Sequence, residues 1–135
     1  MYVKRIIEDN WSGVKTADVK YECSSVEQVV AAVRKLNGRN KTSIYLLADG
    51  EKSLTVSGGN DGRYIAFLTI GTDDEFYNLV ALTHCKDQMM EVVTGGQKGM
   101  HPARQCIDLE TVLEAAQRFA LDGSMSPMLT WERQV

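Results

Sequence analysis

Proline is nearly absent from this chain of 135 residues, with two in all, and cysteine occurs three times. Cys23, Cys85 and Cys106 are odd in number and form no C-x-x-C pair, which argues against a disulfide framework. Reduced cysteines acting as small apolar residues in the cytoplasm are the expectation. No apolar run approaches the 18 residues that a membrane-crossing helix needs. The opening "MYVKRIIEDNW" has charges on both sides of a two-residue Ile step and no apolar core of a secretion signal. The sequon Asn40-Lys41-Thr42 is therefore a chance match. Basic excess is missing too: 18 acids against 15 bases give a net charge of −3. That disfavours a general nucleic-acid binder, whose surface must neutralise phosphates, and suits a basic protein partner.

Recognisable catalytic and metal patterns are also wanting. "TGGQKGM" lacks phosphate-loop spacing, with Met100 where a magnesium-binding hydroxyl should stand. "SGGNDGRYI" resembles half of one calcium-binding β-roll repeat, and a single copy buries no core, so it reads as a hairpin turn. "GTDDEFY" has neither the Gly nor the distal Glu of a calcium loop and reads as a solvated acidic turn. His84 and Cys85, adjacent on a strand, point to opposite faces. His101 with Cys106 remains the one imaginable nucleophile–base pair. No metal, cofactor or catalytic residue is expected.

What is present is a set of helix and strand signals. In "SSVEQVVAAVRKLNG" Ser24 and Glu27 have capping-box spacing, Val26, Val29, Val30, Val33 and Leu36 form one face, and Gly38 is the stop. In "DLETVLEAAQRFALDG" Asp108 caps, and Leu109, Val112, Leu113, Ala116, Phe119 and Ala120 make one stripe that Gly123 ends. Between them run "SIYLLA", a hairpin dipeptide Asp49-Gly50, "KSLTVS", "RYIAFLTI", "FYNLVALT" and "MMEVVT". Short links make neighbouring strands antiparallel. Tyr64 to Leu68 is apolar throughout, which places that strand centrally with both faces covered. The expectation is one α+β domain over residues 1–135. It is an antiparallel meander of about five or six strands with two helices on it, in the order helix, strands, helix, strand. After the second helix a Ser126-Pro127 turn returns "MLTW" to the sheet, with Trp131 either in the core beside that helix, the favoured placement, or at the sheet edge.

The second half, "TGGQKGMHPARQC" leading to "AAQRFALDG" and then "SPMLTWE", resembles the end of bacterial immunity proteins of polymorphic toxin systems, immunity protein family one. The resemblance spans about residues 20 to 133. It implies that Phe119, Gly123, Pro127 and Trp131 are scaffold. It also implies a non-catalytic cytoplasmic inhibitor that pairs one-to-one with a cognate toxin domain, often a nucleic-acid deaminase or nuclease delivered by neighbouring cells. A basic substrate cleft in such a toxin would accept carboxylates and aromatics on loops held by a rigid sheet. Candidate contacts are Asp49, Glu51, Asp61, Asp73, Asp74, Glu75, Tyr77 and Trp11, with a second patch from Gln97, His101 and Arg104 on a long "GGQKGMHPAR" loop. The alternatives are a ligand- or partner-binding adaptor and, less favoured, a small enzyme using His101 and Cys106.

Overall fold

The computed structural model describes residues 1–71, 75–81 and 88–134. Its main element is an antiparallel sheet of seven strands. In chain order the strands are β1 (Arg5–Glu8), the small hairpin β2 (Trp11–Ser12) and β3 (Lys15–Thr16), β4 (Val19–Glu22), β5 (Ser43–Leu47), β6 (Lys52–Gly58), β7 (Tyr64–Ile70), β8 (Glu75–Val80), β9 (Met89–Thr94), β10 (Gln97–Pro102) and β11 (Thr130–Gln134). Helix α1 (Val26–Lys35) lies between β4 and β5, and α2 (Leu109–Asp122) between β10 and β11. The sheet order is β11-β8-β7-β6-β5-β1-β4, with β9–β10 as a separate two-stranded ribbon.

The α+β class and both helices match the sequence expectation, and four details are corrected. Strands precede the first helix: β1 is inserted between β5 and β4, so seven strands replace five or six. "MMEVVT" leaves the meander and pairs with "QKGMHP", which is a strand and not a loop. The Gly95-Gly96 dipeptide, with φ of 55° and 78°, makes this the tight two-residue turn. Asp49-Gly50 instead sits in a longer connection, because Leu47 is opposite Ser53 and Gly50 lacks a positive φ. The cap of α1 is also shifted by one residue. Ser25 is the N-cap, and Gln28, not Glu27, reaches back so that its Oε1 accepts from the N–H groups of Ser24 and Ser25 at 2.6 and 3.2 Å.

Alternation along the strands sorts the sheet into two faces. Ile6, Leu46, Leu54 and Leu68 stand in one register row, Ile44, Val56 and Ala66 in the next, and all are buried. Against them pack Val29, Ala32 and Val33 of α1 and Val112, Ala116, Phe119 and Ala120 of α2. Asp108 caps α2 by accepting from the Thr111 N–H at 2.8 Å, and Gly123, at φ 76°, closes it with an N–H to the Phe119 carbonyl at 2.8 Å. The start of the chain docks here as well. Tyr2 N–H donates to the Ala120 carbonyl at 2.8 Å, and its ring meets Phe119 edge-on at 5.5 Å.

The opposite face carries the ribbon at one end. Gly95 and Gly96 N–H groups donate to Ser43 Oγ and Thr42 Oγ1 at 3.0 and 2.9 Å. Asn60, in the turn between β6 and β7, clamps β9 by accepting from Val93 N–H at 3.1 Å and donating to the Glu91 carbonyl at 2.9 Å. Thus β7 is interior to the sheet, but only its Tyr64, Ala66 and Leu68 side is buried, while Ile65 and Phe67 remain half-buried. The expectation that both faces are covered holds for one face. Trp131 lies on the edge strand β11, paired with Leu79, and packs on the core from there.

Candidate functional site

Strand connections gather part of the expected contact set at one end of the sheet. The β5–β6 connection holds Asp49 and Glu51, both exposed, and the Gly71 N–H donates to the Glu51 carbonyl at 2.9 Å. That bond fastens the connection to the turn after β7. Glu75 opens β8 opposite Ile70, at the same end. Asp49, Glu51 and Glu75 therefore border one rim. Arg5 pairs with Asp49 at 3.1 Å in an exposed contact. Tyr77, two residues along β8, donates its hydroxyl to Glu75 Oε2 at 2.6 Å. That bond, with desolvation and the carboxylate's charge behind it, pushes the phenol pKa up. Tyr77 points to the helix side and packs on the core, so it orients Glu75 from behind. Asp73, Asp74, His84 and Cys85 lie outside the described residues.

The remaining expected residues are elsewhere. Asp61 is at the far end, in the β6–β7 turn at φ 54°, with Arg63 at 3.8 Å. Trp11 is also at that end, where its ring presses on Gly96 and its Nε1 donates to Asp9 Oδ2 at 2.8 Å. Gln97 begins β10 beside them and is exposed. Arg104, in the 3-10 turn Ala103–Gln105, pairs with Glu132 of β11 at 2.7 Å. The patch expected on a loop is thus spread along a strand and the turn after it.

His101 points inward from β10. With Thr94 and Gln105 it roofs a cavity of about 260 Å³ over the sheet, whose floor is Ile65 and Phe67 and whose outer side is Asn78 and Gln134. Burial holds the imidazole pKa below its ordinary value. Cys106 is half-buried, its thiol donates to the Pro102 carbonyl at 3.5 Å, and burial pushes its pKa up. A thiol so placed is neither deprotonated nor hydrogen-bonded to His101, which is unlike an activated nucleophile. Among the described residues no three His, Cys, Asp or Glu side chains converge as metal ligands, and no helix is long and apolar enough to cross a membrane.

Reading the sequence missed this cavity and the half-exposed sheet face around it. The signal was there in Tyr45, Phe67 and Phe76, each one step out of register with the buried rows.

Among the described residues, two helices pack on a seven-stranded sheet that carries charged connections at one end. The family model for Immunity protein Imm1 matches residues 17–133. The chain belongs to that immunity protein family, whose role implies a protein toxin as its partner. No curated protein and no solved structure matches the chain.

Proposed function

We propose that this protein binds a cognate toxin domain one-to-one in the cytoplasm and neutralises it, without catalysis or cofactor, by blocking its active site. The toxin we favour acts on nucleic acid, as a deaminase or nuclease. Such a domain needs a basic cleft, and the observation that carries the reading is the shared acidic rim of Asp49, Glu51 and Glu75, held together by the Glu51–Gly71 backbone bond. Asp73 and Asp74 belong to the proposed contact set by sequence. Family membership supports an immunity role and the rim supports a basic partner.

The test is affinity capture of the tagged protein from lysate of its own organism, with bound proteins identified by mass spectrometry. Recovery of one small basic toxin domain that withstands a stringent wash supports the reading, since such complexes reach the tightest non-covalent range. A clean and empty capture from a lysate that contains the toxin overturns it.

A further inference from the structure

Outside the ribbon and the 3-10 turn that carries Gln105, no described element stands over the second face of the sheet. In an antiparallel sheet with one wet side that side is ordinarily polar. Here Ile7, Tyr45, Leu47, Phe67 and Phe76 share it, all only half-buried. Arg5, Lys20 and Glu22 flank them at the β1–β4 side, with a shallow depression of about 370 Å³ beside Ile7 and Leu47. Asn78, Glu132 and Gln134 flank them at the β8–β11 side.

Size and make-up decide what such a surface is for. Six strand spacings of about 4.8 Å span roughly 29 Å, and two open rows along the strands cover roughly 14 Å, so the floor is on the order of 400 Å². Its apolar anchors, Ile7, Tyr45, Leu47, Phe67 and Phe76, are interspersed with Ser53, Thr55 and Thr69 and bordered by charged and amide side chains at both edges, the mixed make-up of a protein–protein contact. Leu47, Ser53, Thr69 and Phe76 are the row nearest the connection bearing Asp49 and Glu51, so floor and these two acids are one continuous surface, whereas Glu75 turns with Tyr77 to the helix side. The cavity under the ribbon opens beside the same floor. Its lining offers amides, hydroxyls and an imidazole but no charged side chain. A charged group would lose its hydration there without a counter-charge, whereas an uncharged polar group finds hydrogen-bond partners.

Building on the proposed immunity role, we infer that this open face is the seat of the toxin domain. The partner is a basic-surfaced protein that sets its cationic groups against Asp49 and Glu51 at the end of the face, lays apolar surface on Tyr45 and Phe76, and inserts one loop with an uncharged polar tip into the cavity bounded by Asn78, Thr94 and His101. A second copy of this chain is the poorer occupant: turned about an axis along the strands, it sets ribbon against ribbon and acidic rim against acidic rim.

The experiment uses the purified full chain and the toxin domain recovered by capture, with calorimetric titration and sedimentation. Thr55→Arg plants a charge in the middle of the floor and Thr94→Trp fills the cavity. Each is expected to weaken binding by about thirtyfold or more, while Glu110→Lys on the exposed side of α2 leaves it unchanged. Hydroxyl-radical labelling of the unmodified protein answers the same question without relying on a variant's folding, with Tyr45 and Phe76 expected to be protected in the complex. Wild-type affinity in folded Thr55→Arg and Thr94→Trp proteins, or equal labelling of Tyr45 and Phe76 with and without toxin, overturns this inference and leaves the immunity role standing. So does a wild-type dimer that Thr55→Arg dissociates while toxin binding persists. Failure of the wild-type protein to bind any toxin domain overturns both readings.

Discussion

Asp9, 4% exposed, ties three segments of the chain together through buried hydrogen bonds. Its carboxylate accepts from the N–H groups of Thr42 and Ser43 at 2.7 and 3.0 Å, from the Thr42 hydroxyl, and from Trp11 Nε1. Asp9→Ala leaves those buried donors unpaired, and a loss of about 3 kcal/mol is expected in urea unfolding. Glu8, beside it and 3% exposed, accepts from the Tyr21 hydroxyl and pairs with Lys35 and Lys41 at 3.4 and 3.5 Å. Neither acid was legible as interior, because in "RIIEDNW" they read as ordinary surface charges and, Trp11 apart, their partners stand 13 to 34 residues away. His101 adds a pH effect. Its folded pKa lies below the unfolded value of about 6.5, so the unfolded chain takes up the proton first and stability falls as pH drops through 6.5 towards the folded pKa. The Tm difference between pH 7.5 and 5.5 should therefore be smaller in His101→Gln than in the wild type.

At the scale of elements, α2 was fully legible because its signals are local. The Asp108 cap, the apolar stripe and the Gly123 stop all lie within the helix or next to it. Asp108→Ala is expected to cost about 1 kcal/mol by thermal unfolding. The ribbon was not legible. Met100 and His101 give "QKGMHP" no clear alternation, and the pairing that makes it a strand comes from the Gly95-Gly96 turn and the Asn60 clamp. The two glycines separate conformation from contact. A Cβ at Gly95 meets nothing within 4 Å, whereas one at Gly96 falls 2.5 Å from the Trp11 ring. Gly95→Ala should cost only the left-handed backbone, about 1 kcal/mol, and Gly96→Ala clearly more because the indole must also move. Equal losses in chemical denaturation would mean that Trp11 does not hold the ribbon down.

At the scale of the whole molecule, charge acts through its placement, since −3 in total is a weak field. Replacing Asp49, Glu51 and Glu75 together by Ala should slow association with the captured toxin domain several-fold at low salt, and the difference should shrink towards physiological ionic strength. An unchanged on-rate in stopped-flow mixing at low salt removes the rim from the interface. The closing segment is placed as its sequence suggested. Ser126–Leu129 turns with Pro127 and Met128 at its centre, the Leu129 N–H donating to the Ser126 carbonyl at 3.2 Å, and β11 returns to the sheet. The core position expected for Trp131 is reached from an edge strand, with its indole N–H buried and unpartnered among the described residues. The strand count fell short because β1 and β4 alternate only weakly by themselves. Burial of Ile6 comes from β5 and the helices, which no local pattern announces.

Strand β1 leaves the ribosome early, yet its slot in the sheet lies between β4 and a strand that begins only at Ser43. Beneath it, Val3 donates its N–H to Ala120, near the end of the last helix. The sheet neighbours of β1 are complete by Leu47, but the helix that receives Val3 closes only at Asp122, so contacts of long sequence separation complete the core last.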